Sequence, residues 1–278
     1  MPELPEVETV RCVLEPQIKG WKIMEIDIAN EQVIAYPDAG RFCDAAIGQT
    51  VAGIERRGKF LIFRFACGDR MVVHLRMTGC LLLTPPEYEK AKHTHAVFSL
   101  ENKRELRYID PRRFGRFWFL KSGEEDKVTG MDKLGLEPFD EALSAEYLQE
   151  CLSKRKKSIK ECLLDQSIVA GIGNIYGDEI LFAAGIHPAR CARSLTVSEY
   201  GKLVKQIRET LEYFIEKNVI SAEDYLAGNG KDYRNTPYLS VYGQEKKQCP
   251  ICGKILRKTA IAGRSSVFCP RCQPEKTP

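Results

Sequence analysis

The spacing of apolar positions changes twice along the chain. Val7, Val10 and Leu14 recur at helical spacing, which predicts a short helix over 5–15 with Pro5 tolerated in its first turn. After Gly20 the texture shortens to β-rich runs at 21–28, 51–56, 60–65, 71–75, 80–83, 96–100, 105–109 and 116–120. Gly, Pro, Asp and Asn punctuate these runs, a pattern that predicts a sandwich or barrel. Thr84–Lys92, with Pro85-Pro86, reads as a loop. The β texture stops around Gly130–Pro138, the expected domain boundary.

Helical spacing then returns. It predicts helices at 144–152 and 159–166, then one after Gly171-Ile172-Gly173-Asn174 that stops at Gly185 with Pro188 beyond. A long helix follows at 197–217. Thr196 and Glu199 form its capping box, and Val204, Ile207, Leu211, Phe214 and Ile215 form its core stripe. Residues 221–247 are polar and Gly/Asn-rich, the texture of a linker or mobile loop.

The length of 278 residues suits two domains and a small appendage, and 44% hydrophobic content suits folded units. No apolar run approaches the ~18 residues of a membrane span. The acidic start lacks a secretory signal pattern, so the cytoplasm is the expected location. The formal net charge is only +4, but its distribution is uneven. From Glu245 to Pro278 eight basic residues face two acidic ones, a net +6, which leaves −2 for the rest. Further basic clusters lie at Arg107/Arg112/Arg113/Arg116 and Lys154/Arg155/Lys156/Lys157/Lys160. Most charge runs are solvated faces; three of them, one beside a metal-ligand pattern, favour a polyanionic partner.

Of eleven cysteines, seven are scattered and read as small buried hydrophobes in a reducing compartment. The other four form Cys249-x-x-Cys252 and, sixteen residues on, Cys269-x-x-Cys272. Two such pairs complete a tetrahedron around one Zn²⁺, and four protein ligands leave no open position, so the ion is structural. Metal binding also explains how so short and polar a segment folds. Its turn at 262–266 carries Arg264, placed to meet a phosphate.

Three weaker patterns accompany the finger. The glycines of 171–179 (GIGNIYGDE) feed a helix that starts at Asn174, and a helix N-terminus is a ready anion site. With the preceding basic run it reads as a phosphate clamp. In 110–115 (DPRRFG), Arg112 and Phe114 alternate in a turn, a means of entering a base stack. Lys59 enters a strand in 56–60 (RRGKF). On these patterns alone, an exposed turn and an inert lysine are equally good readings, and Met77 in 74–79 reads as core. His74, His93 and His95 have no metal-ligand partner in the sequence.

The chain opens Met1-Pro2-Glu3-Leu4-Pro5-Glu6. Once Met1 is removed, Pro2 is a secondary amine with a reference pKa of roughly 7.7–8.0, so about a tenth of it is unprotonated at pH 7. Attack of that nitrogen on a sugar carbon yields an iminium, an electron sink for elimination. Glu3 and Glu6 otherwise read as first-turn carboxylates that complement a helix dipole.

Together these residues resemble the formamidopyrimidine-DNA glycosylase family of base-excision-repair enzymes. The resemblance covers PELPEVETV at 2–10, GKF at 58–60, HLRMTG at 74–79, DPRRFG at 110–115, the stretch 159–188 and the four-cysteine finger. It implies an α+β multidomain fold: an N-terminal β-sandwich with an N-terminal helix, a helical helix-two-turns-helix domain and a C-terminal zinc finger. DNA would lie in a cleft between them. The expected divisions are 1–133, 134–220, a loop or linker at 221–244, and 245–278. By resemblance Pro2 is the nucleophile, Glu3 the general acid and Glu6 its support. Lys59 assists β-elimination and Arg264 δ-elimination. Met77, Arg112 and Phe114 fill the gap left by the extruded base, and His93, Arg155, Lys156 and Asn174 contact DNA. The implied activity is excision of oxidised purines from double-stranded DNA by a monomer, followed by strand cleavage. Zinc is the one cofactor, and no membrane partner is implied.

One region departs from the family. The loop after the long helix usually carries a Gly-Gly-Ser/Thr run, but 217–226 here reads KNVISAEDYL. The segment 231–244 (KDYRNTPYLSVYGQ) lacks the usual Pro-Gly-Tyr-Phe and ends in Gln244 where arginine is usual. This departure bears on lesion preference. The same chemistry on oxidised pyrimidines is therefore the alternative. A non-catalytic binder of damaged DNA is a further one, disfavoured because neither the nucleophile nor the acid is lost.

Overall fold

The structure is a computed structural model that describes residues 2–231 and 233–275. The chain forms two compact units. One runs up to Asp132 and adds Asn218–Tyr233; the other is Lys133–Lys217 with the chain from Arg234 onward.

The first unit opens with helix α1 (Leu4–Ile18), followed by β1 (Ile23–Ile28), β2 (Ile34–Tyr36), α2 (Ala39–Ala46), β3 (Val51–Arg57), β4 (Phe60–Phe65), β5 (Arg70–His74), β6 (Cys80–Thr84), β7 (Thr94–Leu100), β8 (Glu105–Ile109) and β9 (Arg116–Leu120). The strands form a four-stranded sheet, β1-β7-β8-β6, and a five-stranded sheet, β2-β9-β5-β4-β3. Their inner faces meet in one core, where Phe98 stacks on Phe117 at 5.8 Å and Tyr108 meets Phe117 edge-on at 4.9 Å. This is the sandwich that the alternating runs predicted. Helix α1 buries Leu4, Val7, Val10, Leu14 and Ile18, the predicted face and its extension. Strand β2 and helix α2 have no counterpart in the expected elements. They are short, and α2 buries only Phe42 and Ala46, too few positions to set a period.

The second unit holds α3 (Ala145–Leu152), α4 (Ile159–Leu163), α5 (Asn174–Ala184), α6 (Val197–Lys217) and the hairpin of β10 (Arg257–Ile261) and β11 (Arg264–Phe268). Helix α5 ends on Gly185 at φ +69°, the left-handed cap that its Gly-x-x-Pro ending predicted. Helix α4 is shorter than expected. The Gln166 side chain donates to Leu164 O and Ile172 O and accepts from Gly171 N, so it fixes a turn where a further helical turn would run.

The 221–244 stretch, expected as a loop or linker, is partly helical. Helix α7 (Ala222–Ala227) starts on the Ser221 N-cap, and Tyr225 is 2% exposed and donates to Leu81 O at 3.2 Å. One short apolar anchor, invisible to periodicity, fixes the segment to the first core. Among the described residues no helix is long and apolar enough to cross a membrane.

Candidate active site

The N-terminal turn is built from its own carboxylates. Glu3 and Glu6 are 1% and 2% exposed, and Glu6 Oε2 accepts the Glu3 backbone N–H at 2.8 Å, so the pair caps α1. Pro2 is buried directly before them. Met1, whose removal the expected Pro2 chemistry requires, lies outside the described residues. Asn218 Nδ2 donates to Glu6 Oε1 over a long 3.5 Å.

Lys59 occupies a two-residue hairpin turn between β3 and β4, since Arg57 pairs with Phe60 across it. Gly58 takes φ +54°, which a tight hairpin demands. The turn is tied to α1: Arg56 donates to Glu8 Oε2 at 3.0 Å and to Gly58 O at 3.1 Å. Lys59 is only 8% exposed, so an amine that the sequence left ambiguous is held inward. Phe60 pairs with His74 across β4 and β5. Burial, then the Arg76 and Lys59 charges, press the His74 pKa down to about 3. His74 is therefore neutral, and its Nδ1 accepts the Arg76 N–H at 3.0 Å.

Three loops gather around Asp110, a fully buried carboxylate. It accepts from Arg112 N (3.1 Å), Phe114 N (2.8 Å), Gly115 N (3.0 Å), the Tyr108 hydroxyl (2.8 Å) and the Thr78 hydroxyl. Its backbone carbonyl accepts from His95 Nε2 at 2.9 Å, and its N–H donates to His93 O at 3.0 Å. Burial pushes this carboxyl up, but the Gly115, Thr78, Tyr108 and Arg112 donors more than offset it and hold it below the usual range. Gly115 is required here, because a Cβ would sit 1.8 Å from the Tyr108 hydroxyl oxygen. The hub aims exposed tips outward: Met77 is 41% exposed and Phe114 47%, and the Arg112 guanidinium carbon lies 4.8 Å from the Phe114 ring centroid. Met77 is thus not core, and Arg112 and Phe114 do point together. His93 is exposed at φ +69° on the third loop. Asp110 was quoted within its motif but not singled out; a carboxylate ahead of a glycine-ended turn was the available signal.

In the second unit, Arg155 pairs with Asp165 at 2.7 Å, and Lys156 is exposed. Asn174 starts α5, and its Nδ2 donates to Ser265 O at 3.1 Å. Asn174 Oδ1 is buried and has no hydrogen-bond partner among the described residues. Lys160, 1% exposed, donates to Asp178 Oδ1 at 2.6 Å and to Ser265 O at 3.0 Å. Asp178 also accepts from the Ser266 hydroxyl and from Val267 N at 2.9 Å. These bonds lock β11 onto α4 and α5. The hairpin turn, Ala262 at φ +48° and Gly263 at φ +74°, then lifts Arg264 beside Lys157 and Lys160 around a groove of about 270 Å³. Neither Lys160 nor Asp178 was singled out from sequence as a structural pair.

The four finger cysteines come together, with their Sγ atoms within 4.8 Å of one another. Cys249 and Cys272 are 3.8 Å apart, and Cys252 and Cys269 3.5 Å. A tetrahedron of zinc–thiolate bonds of about 2.3 Å has edges of about 3.8 Å, so the cluster fits one structural zinc. Glu179 steadies the approach to the finger by accepting from the N–H groups of Ser240, Val241 and Tyr242 at 2.8–2.9 Å.

A helix-capping turn with two buried carboxylates, loops that expose Met77, Arg112 and Phe114, and a four-cysteine hairpin that carries Arg264 match the elements expected of a DNA-processing enzyme. Three family models match in the same order. They are the formamidopyrimidine-DNA glycosylase N-terminal domain at residues 1–117, its H2TH domain at 134–224, and the zinc finger found in FPG and IleRS at 246–274. The chain is 44% identical over 276 residues to the formamidopyrimidine-DNA glycosylase of Shouchella clausii, covering 99% of both. Its identity to that of Pelotomaculum thermopropionicum is 40% over 276 residues, covering 99% of this chain and 100% of the relative. Structures of the Lactococcus lactis protein superpose closely. Its complexes with DNA containing an abasic site and with DNA containing FAPY-dG both give a TM-score of 0.90 at 35% identity, covering 98% of this chain and 100% of that one. Its complex with DNA containing an oxidised pyrimidine gives 0.91 at 36%, covering 99% and 100%. The chain belongs to the formamidopyrimidine-DNA glycosylase family. It is accordingly an enzyme of the bifunctional class, glycosylase and abasic-site lyase.

Proposed function

We propose that the protein, as a monomer in the bacterial cytoplasm, excises oxidised purines such as 8-oxoguanine and formamidopyrimidines from duplex DNA and then cleaves the strand. The observation that carries this reading is the N-terminal turn: Pro2 stands directly before two buried carboxylates, with Lys59 held inward on a hairpin tied to the same helix. With Met1 removed, the Pro2 nitrogen attacks the sugar C1′ as the damaged base departs with the glycosidic electron pair. Glu3 supplies the proton that lets the sugar ring oxygen leave, and Glu6 holds the turn. The resulting iminium acidifies C2′. Lys59 assists loss of that proton, whose electrons expel the 3′ phosphate. A second elimination, assisted by Arg264, expels the 5′ phosphate.

The base must leave the stack before any of this begins. Met77, Arg112 and Phe114 fill the gap, while His93, Arg155, Lys156 and Asn174 hold the backbone. Zinc supplies no reaction step; it folds the ribbon that carries Arg264. Borohydride added to the protein and a duplex bearing 8-oxoguanine traps a covalent adduct under this reading. Adducts confined to thymine glycol would move the substrate to oxidised pyrimidines, a second reading favoured by the Lactococcus lactis complex with such DNA. No adduct even at an abasic site would overturn the chemistry. Changing Pro2 to Gly keeps a terminal amine, so some trapping persists; acetylating the terminus abolishes it.

A further inference from the structure

A chain of contacts leads from helix α1 to the peptide that carries Lys59. Pro2 and Glu3 directly precede this helix, and Glu8 faces strand β3 from it. The two Glu8 oxygens are divided between two arginines. Oε1 accepts from Arg11 Nε and Nη2 at 2.8 and 2.6 Å, within the helix, and Oε2 accepts from Arg56 Nε at 3.0 Å, across to the hairpin. The crossing pair is largely buried, the Glu8 side chain 17% exposed and that of Arg56 11%. Burial acts to raise the Glu8 carboxyl, but the Arg11 and Arg56 guanidiniums more than offset it and hold it below the usual range. Arg56 Nη1 donates in turn to Gly58 O at 3.1 Å. That oxygen belongs to the peptide unit between Gly58 and Lys59, the middle of the two-residue turn. Gly58 takes φ +54° and Lys59 is not left-handed, the pattern of a hairpin turn with glycine first. The alternative hairpin turn reverses this middle peptide and needs a positive φ at Lys59 too, which would re-aim the side chain. The Arg56 guanidinium, bonded to the peptide oxygen, holds the first form.

We propose that Glu8 and Arg56 are positioning residues for β-elimination: Glu8 anchors Arg56 to the helix that follows the nucleophile, and Arg56 sets the Gly58–Lys59 peptide so that Lys59 stays directed at the sugar held by Pro2. This inference rests on the roles given to Pro2 and Lys59 above and adds what fixes one relative to the other. Attack by Pro2 needs nothing from the hairpin, whereas the elimination needs Lys59 in place. Losing the contact therefore slows the second step and spares the first. The helix itself remains docked without it. Glu15 Oε1 accepts from Ile54 N at 3.3 Å, farther from the turn, and Val7, Val10 and Leu14 stay buried in the core.

The test uses a duplex bearing an abasic site, which has no base to expel, and measures two single-turnover rates. Borohydride trapping reports attack by Pro2, and strand cleavage reports elimination. In Arg56→Met and in Glu8→Ala the ratio of cleavage to trapping falls about tenfold, the scale of a small misplacement of a reacting group. The double variant loses no more than the worse single one, because both act through one contact. Arg11→Met, which leaves the Glu8–Arg56 contact in place, keeps the wild-type ratio. An unchanged ratio in Arg56→Met, including one kept while both rates fall together, overturns the assignment. Losses that multiply in the double variant, or an equal loss in Arg11→Met, overturn it too. Arg56→Met decides the matter if Glu8→Ala does not fold. Wild-type protein that yields no adduct at the abasic site overturns the Pro2 chemistry, and this inference with it. Wild-type trapping and cleavage with unchanged ratios in the variants overturn this inference alone.

Discussion

The Asp110 loops and the Arg264 hairpin both hold charged tips outward, and they do so by different chemistry. The loops emerge from a sandwich with a large apolar core. One buried carboxylate, satisfied by three backbone N–H groups and two hydroxyls, is then enough to fix their shape. The hairpin has few apolar residues of its own, chiefly Leu256, Ile261 and Val267. Four thiolates and the Lys160–Asp178 contact do for it what a core does elsewhere. Where apolar area is scarce, a metal and a buried ion pair take over the ordering. The cost is a region that depends on a few atoms.

That contrast can be broken most sharply at the metal. Cys269→Ser removes one thiolate of four. Zinc measured by atomic absorption falls from one per chain toward none, and DNA affinity falls on the order of tenfold to a hundredfold as ordered phosphate contacts disappear. The melting transition of the sandwich stays where it was. Unchanged affinity would refute the role given to the finger.

The matching experiment on the other side is Asp110→Ala. It strands the N–H groups of Phe114 and Gly115 and the Tyr108 hydroxyl, at a cost of about 2–4 kcal/mol in chemical denaturation. Zinc content remains at one. A loss below 1 kcal/mol would show that the loops hold themselves without the hub. Because the Asp110 carboxyl titrates below its usual range, its contribution is complete above about pH 4 and disappears only as the pH falls through the depressed value.

The smallest effect concerns His74, and it sharpens the contrast, since only the sandwich contains it. Its pKa falls from about 6.5 unfolded to about 3 folded. The unfolded chain thus takes up the proton first, so stability is full above about pH 6.5 and declines as the pH drops toward 3. Between pH 7 and pH 5 the loss is about 2 kcal/mol. His74→Gln flattens that slope.

Much of this was legible in the residues. The 2.0 and 3.6 periods marked most strands and helices because burial on one face imposes them. The finger was legible because zinc demands four ligands at short spacing. Asp110 and the Lys160–Asp178 pair were not, because partners far apart in sequence define them. Lys160 reaches Ser265 from 105 residues away. Helix α7 escaped notice because a single buried tyrosine carries no period.

The sequence by itself determined the order of the modules and the metal set, which are local patterns with local causes. Only the tertiary structure decided which charges are buried, which way Lys59 is held, that Met77 is a tip and not core, and that 218–233 returns to the first unit beside Glu6. The physical reason is that desolvation and hydrogen-bond satisfaction depend on neighbours that the chain brings together only when it folds.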